Sequence, residues 1–175
     1  YMREPECLNR YWMVPGEKGF EHRIGGLEKK DITGNLTYEP LNHEKMVKIR
    51  EEKIERISKK LPSQNVRGAE QGELLVVGWG STFGAINSAV IEMIEEGYEG
   101  FGFTHFNYIK PLPKNTNEIF GKFDKILVCE LNNGQLVTYL RSKLPQHTYD
   151  QFNKIQGQPF FISEIKSRIL KELEA

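Results

Sequence analysis

The sequence predicts an α/β domain in which parallel strands carry helices on both faces. Two observations carry that prediction. Leu74-Leu75-Val76-Val77 is a short apolar run bounded by Gly72 and Gly78, the pattern of a strand buried on both faces. Beyond it the pattern turns helical, with Ala85, Ile86, Ala89, Val90, Met93 and Ile94 at helical spacing up to Gly97. Strand, glycine turn and helix open a βαβ unit, and strand and helix keep alternating to the end of the chain, which favours right-handed crossovers.

Before that unit, residues 1–40 are punctuated by Pro5, Pro15, Gly16, Gly19, Gly25, Gly26, Gly34 and Pro40, so no long element fits. Short strands are expected at Arg23-Ile24 and Leu36-Thr37-Tyr38, with Thr33-Gly34-Asn35 as a turn. Tyr11, Trp12, Met13, Val14 and Phe20 are too apolar for a free linker, so the stretch reads as an extended connector that packs against something else. A helix is expected from Asn42, as its cap, to Leu61, with Val47, Ile54, Ile57 and Leu61 on one face and Pro62 as its stop. The expected boundary makes 1–65 a connector plus helix and 66–175 the α/β domain.

Further on, strands are expected near Phe101–Phe106, Lys125–Glu130 and His147–Phe152. Between them, Pro111 and Pro113 exclude regular structure. Asn115 is expected to cap a short helix reaching Phe120, and Leu136–Leu144 to form another that Pro145 ends. Ser163 is expected to cap the last helix, with Ile162, Ile165, Ile169 and Leu173 facing inward.

Composition narrows the function. Of 175 residues, 38% are hydrophobic and 27% charged, a globular profile. Lys+Arg and Asp+Glu are 24 each, so no basic field invites nucleic acid and no acidic tail is present. No apolar run approaches the roughly 20 residues that span a bilayer, so no membrane partner is expected. Cys7 and Cys129 make neither a disulfide framework nor a metal spacing; Cys129 reads as a reduced core thiol, which suits the cytoplasm. The start at Tyr1, within polar sequence, reads as a piece of a longer protein.

Two stretches could carry chemistry. Gly78, Gly80 and Gly84 form G-x-G-x-x-x-G after a strand, and Gly78, Gly80, Ser81 and Thr82 are the candidate phosphate or cofactor contacts. The dinucleotide fingerprint has a shorter spacing and a carboxylate ending the second strand; here Thr104-His105-Phe106 stands there. The competing reading is that the glycines let the helix start close to the strand. The other stretch is Glu130-Leu131-Asn132-Asn133-Gly134-Gln135, at the carboxyl end of a strand, where open α/β sheets take ligands. It is read as an interface or structural turn, with Asn133 or Gly134 left-handed and Glu130 accepting hydrogen bonds from a neighbouring loop or subunit. His22, His43, His105 and His147 lack ligand spacing, so no metal site is expected, and no catalytic residue is assigned. Trp79, Phe83, Phe106 and Tyr108 cluster at strand ends and would, if exposed, mark a contact surface.

Four segments occur in one order: Leu75–Thr82 (LVVGWGST), His105–Pro113 (HFNYIKPLP), Ile126–Leu136 (ILVCELNNGQL) and Asn153–Phe160 (NKIQGQPF). Together they closely resemble the C-terminal part of the alpha subunit of 2-oxoacid:ferredoxin oxidoreductases, most like the 2-oxoglutarate enzymes. Gly26-Leu27-Glu28 through Gly34, with Asn42-His43, is similar to the connector preceding that domain, so the resemblance runs from about residue 23 onward. A looser likeness extends to transketolase C-terminal domains. The resemblance implies a three-layer α/β/α sandwich around a mixed, mostly parallel five-stranded sheet. It further implies a parent enzyme that decarboxylates a 2-oxoacid on thiamine diphosphate with Mg²⁺, passes electrons through iron–sulfur clusters to ferredoxin, and forms an acyl-CoA. Its implied partners are the remaining domains of the alpha subunit, the beta subunit, ferredoxin and coenzyme A. None of the family's cofactor-binding or cluster-binding positions matches a residue here, so the chain alone is expected to bind no cofactor and to serve assembly and active-site support. The alternative reading is a stand-alone nucleotide- or phosphate-binding module using the Gly78 loop and the Asn132–Gln135 turn.

Overall fold

A computed structural model describes residues 2–22 and 25–174. The chain divides into two compact units, Tyr1–Leu61 and Pro62–Ala175.

The first unit buries little. Among its described residues only Thr37 and Met46 are buried. Lys29 bridges Leu36, and Lys30 N donates to Asn35 O at 2.7 Å and Gly34 N to Lys30 O at 3.0 Å, closing a tight loop over the expected turn. The expected Leu36–Tyr38 strand shrinks to that one bridge, and the expected Arg23-Ile24 strand lies outside the described residues. Helix α1 spans Pro40–Ile57 and passes into a single 3-10 turn at Ser58–Lys60. It starts before Asn42 because a proline in the first helical turn sacrifices no needed donor. Asn42 is therefore not the cap; its side chain donates to Lys29 O at 3.2 Å and accepts from Asp31 N at 3.3 Å, holding the loop to the helix. Val47, Ile54 and Ile57, expected on one face of the helix, are exposed, and Met46 is the residue the helix buries.

The second unit holds the sheet. Its strands are β1 (Arg67–Gly68), β2 (Gly72–Trp79), β3 (Phe101–Phe106), β4 (Phe123–Glu130) and β5 (Tyr149–Asn153), in the order β1-β3-β2-β4-β5. All neighbours are parallel except β1 on β3, where Arg67 faces Phe103 and Gly68 faces Gly102. The sheet is thus five-stranded, mixed and mostly parallel, as the resemblance implies. Residue patterning reveals four of these strands; β1, at two residues, has no pattern to read.

Helices α2 (Phe83–Glu95) and α5 (Ile162–Leu173) cover one face, and α3 (Thr116–Phe120) and α4 (Gln135–Lys143) the other. The two-residue period of a strand explains why the β2 run is apolar throughout. Leu74 and Val76 join Leu127 and Cys129 in the core under α2 and α5. Leu75 and Val77 join Ile126 and Val128 in the core under α3 and α4. Lys166 of α5 reaches Glu92 at 3.4 Å and Glu96 at 2.5 Å on α2.

Two expected caps do other work. Asn115 precedes α3, but its side chain accepts from Gln64 N at 2.8 Å and donates to Gln64 O at 2.9 Å. Ser163 lies inside α5; there Glu164 bonds back to Phe161 N at 2.8 Å. Ile162 faces outward, while Ile165 and Ile169 are fully buried. Cys129 is a free, buried thiol that desolvation pushes up to about 12. Among the described residues no helix is long and apolar enough to cross a membrane, and no group of three His, Cys, Asp or Glu side chains could hold a metal ion.

Candidate functional site

The chain leaves β2 through α2 to β3 on one side and returns from β3 to β4 on the other side. The carboxyl ends of β2 and β4 therefore flank the topological switch point, where open α/β sheets take ligands. Trp79 ends β2 and Glu130 ends β4.

Glu130 is fully buried. Its Oε2 accepts from Leu136 N at 2.8 Å and its Oε1 from Val137 N at 2.9 Å, both in the first turn of α4. Trp79 Nε1 adds a third bond to Oε2 at 3.2 Å. A helix start presents orphan N–H groups and the positive end of the helix dipole, which together suit an anion. The Glu130 carboxylate supplies that anion from within the chain. Its donors are Trp79, Leu136 and Val137: of the neighbouring loop or subunit expected to supply them, the end of β2 and the chain's own turn into α4 supply three, and the carboxylate is held by its own fold.

The turn that makes this possible is built from the neighbouring residues. Asn132 Oδ1 accepts from Gly134 N at 2.8 Å and Gln135 N at 2.9 Å. Gly134 takes the left-handed position at φ +86°, and a Cβ there would stand 3.1 Å from both Gln151 Oε1 and Val137 Cγ1. Of the two candidates for that conformation, Asn133 and Gly134, the chain uses the glycine. Asn133 and Gln135 remain on the surface.

The Gly78 loop is likewise occupied by packing. A Cβ on Gly78 would lie 2.6 Å from Ile86 Cδ1 and 2.8 Å from Thr82 Oγ1. Thr82 is buried, and its hydroxyl accepts from Trp79 N at 3.0 Å and donates to Trp79 O at 2.9 Å. Gly80 sits at φ +57° in a 3-10 turn that leads into α2, with Ser81 exposed beside it. Gly78 lets α2 pack close to β2, as the competing reading of the motif has it, whereas a Cβ added at Gly80 or Gly84 would meet nothing within 4 Å.

The expected aromatic cluster splits. Phe83 and Tyr108 are exposed, Trp79 is half-buried, and Phe106 is a core residue stacked edge-on to Phe120. Phe106 misses the surface because it faces α3. His105 lies edge-on to Phe83 at 5.1 Å, and desolvation lowers its pKa. The other histidines have separate partners, His22 with Phe20 O, His43 with Glu28 and His147 with Asn117.

One residue escaped the sequence reading of sites. Lys154 is buried; its Nζ donates to Pro159 O at 3.0 Å and to Glu164 at 2.7 and 3.0 Å, and it stands 4.4 Å from the Phe161 ring centroid. Its backbone N–H donates to Glu130 O at 2.9 Å. The segment Asn153–Phe160 thus clamps the start of α5 to the end of β4. Only Glu164, three residues past Phe161 at a capping-box position, hinted at this in the sequence.

No protein-family model matches the chain. Over 94% of its length it is 37% identical to the 2-oxoglutarate oxidoreductase subunit KorA of Mycobacterium tuberculosis, of which it covers 25%. Over 82% of its length it is 25% identical to 2-oxoacid:ferredoxin oxidoreductase 1, subunit alpha, of Aeropyrum pernix, covering 23% of that protein. The solved 2-oxoglutarate:ferredoxin oxidoreductase of Magnetococcus marinus, with 2-oxoglutarate, coenzyme A and succinyl-CoA bound, superposes at a TM-score of 0.87. That match has 25% identity and covers 99% of this chain and 30% of that one. The chain spans about a quarter of the length of the curated relatives it matches. The resemblance to oxidoreductase alpha subunits that four motifs suggested therefore holds along nearly the whole chain.

Proposed function

From its likeness to the alpha subunits of 2-oxoacid:ferredoxin oxidoreductases, we propose that this chain is the C-terminal part of such a subunit. The parent enzyme, on this reading, oxidises a 2-oxoacid, 2-oxoglutarate first among them, with thiamine diphosphate, Mg²⁺ and iron–sulfur clusters, reduces ferredoxin and forms an acyl-CoA in the cytoplasm. The chain itself binds none of these groups. It serves assembly with the remaining alpha-subunit domains and the beta subunit and supports the active site from outside. The observation that carries this reading is the 37% identity to KorA along 94% of the chain. The nearly coreless first unit supports it, because Tyr11, Trp12, Val14 and Phe20 are exposed there, as a connector seated against further domains would leave them.

The other reading, a phosphate-binding module at the Gly78 loop and the Asn132–Gln135 turn, is disfavoured by the same residues. The α4 amides that would hold a phosphate hold Glu130, and Gly78 is filled by Ile86 and Thr82.

An affinity tag placed on the chain in its native host tests the proposal. The tag should co-purify with 2-oxoglutarate- and CoA-dependent reduction of ferredoxin. The purified 175-residue chain should show no such activity and no heat of binding with thiamine diphosphate and Mg²⁺. A tagged preparation without 2-oxoacid oxidation, or micromolar cofactor binding by the chain alone, overturns it.

A further inference from the structure

With the switch point closed by Trp79 and Glu130, the open part of the carboxyl edge lies beside β3. A cleft of about 660 Å³ occupies it, within the 300–1,000 Å³ range of small-molecule sites. Its outer wall is the segment before β1, and that wall is built rather than draped. Gln64 Nε2 donates to Thr104 Oγ1 at 2.8 Å and His105 O at 2.6 Å, Thr104 Oγ1 donates to Asn65 O at 2.8 Å, and Asn115 brackets the Gln64 backbone.

The lining has a definite chemistry. Phe83 and Tyr108 contribute exposed aromatic rings, and the buried Phe103 lies next to Phe83, with ring centroids 6.2 Å apart. Arg67 is its charged side chain, and no carboxylate lines it among the described residues. At its back, His105 Nδ1 and Asn87 Oδ1 are buried without a hydrogen-bond partner in the chain. Buried polar atoms are almost always partnered, so two orphans lining one cleft call for a group the chain does not supply. Desolvation lowers the His105 pKa, so near neutral pH the ring is uncharged and offers either a donor or an acceptor.

We propose that this cleft binds an aromatic ring bearing an anionic group, of the size of a purine mononucleotide, with the ring against Phe83 and Tyr108 and the anion on the Arg67 guanidinium. A turn of the Asn87 amide or the His105 ring toward the cleft brings these orphans to the heteroatoms of such a ring, and the guanidinium takes a phosphate or carboxylate through paired N–H groups. Gly80 of the Gly78 loop lines the same cleft, but the anion is placed on Arg67 and not on the loop amides, and the proposal stands whether or not the chain belongs to an oxidoreductase.

The test is amide-resolved NMR titration of the chain with AMP, adenosine and inorganic phosphate. AMP should bind with a dissociation constant below about 1 mM and shift amides in 63–67, 83–87 and 103–108. Arg67→Gln should weaken AMP about tenfold and leave adenosine unchanged. Phe83→Ala should weaken AMP and adenosine alike. Arg67 and Phe83 are both exposed, so each variant should retain the wild-type spectrum away from the cleft. No AMP-dependent shift up to about 5 mM, shifts outside the cleft, phosphate reproducing the AMP shifts, or indifference of AMP to both variants overturns the proposal.

Discussion

Trp79 Nε1 donates to Glu130 Oε2 at 3.2 Å, tying the carboxyl end of β2 to that of β4. The same carboxylate holds two amides of α4. Glu130→Gln keeps the shape but leaves one acceptor oxygen for three donors. Each charge-assisted bond to a buried partner is worth about 1.5–3 kcal/mol. The isolated chain should therefore melt lower by an amount comparable to Val76→Ala, a core truncation. Trp79→Phe, which loses one bond at a half-buried site, should cost about 1 kcal/mol. Differential scanning calorimetry of the three variants checks the order; a Glu130→Gln midpoint equal to wild type would place the role of Glu130 outside the fold.

Two glycines of one motif should respond in opposite directions. Gly78→Ala sets a Cβ 2.6 Å from Ile86 Cδ1 and should cost about 1–3 kcal/mol by overpacking. Gly84 lies in α2 with nothing within 4 Å of an added Cβ, so Gly84→Ala should stabilise by about 0.5–1 kcal/mol. Urea unfolding of both variants reads the signs directly. Equal effects would mean that the packing account of the motif is wrong.

The Lys154–Glu164 pair predicts an acid-sensitive clamp. Bonding from Lys154, then from Phe161 N–H, holds the Glu164 carboxyl below its ordinary value of 4.5. A depressed folded-state pKa contributes stability that is complete above 4.5 and lost as pH falls through the lower folded value. The melting temperature should drop in that acid window, and Glu164→Gln should remove that part of the drop while lowering stability at pH 7. Parallel wild-type and variant curves across the window would show that Glu164 does not contribute.

The cysteines should separate by burial. At pH 8 a thiol reagent should modify Cys7, which is half-buried, and spare Cys129 until the chain unfolds, since the Cys129 thiol sits at about 12 inside the core. Cys129→Ala should stay folded at a cost of about 1 kcal/mol. Modification of both thiols at equal rates in the folded chain would contradict the buried placement.

The sequence by itself determined the alternation of β2, α2, β3, β4, α4 and α5, because a buried strand is apolar at every position and a surface helix at every third or fourth, and both periods are local. It also determined the likeness to oxidoreductase alpha subunits, through four motifs in a common order. It did not determine what polar side chains at element ends would bond. Asn42, Asn115 and Ser163 are all residue types that cap helices, yet Asn42 and Asn115 bond loops distant in sequence and Ser163 lies within α5. Strand β1 was invisible because two residues have no period, and its place depends on the close approach of Gly68 to Phe101 O, at 3.0 Å from an added Cβ. The partners of Glu130 and Lys154 were decided only by tertiary structure. A buried charge takes whichever donors or acceptors the fold brings within about 3 Å, and that meeting is set by the packing of α4 and α5 on the sheet, not by spacing along the chain.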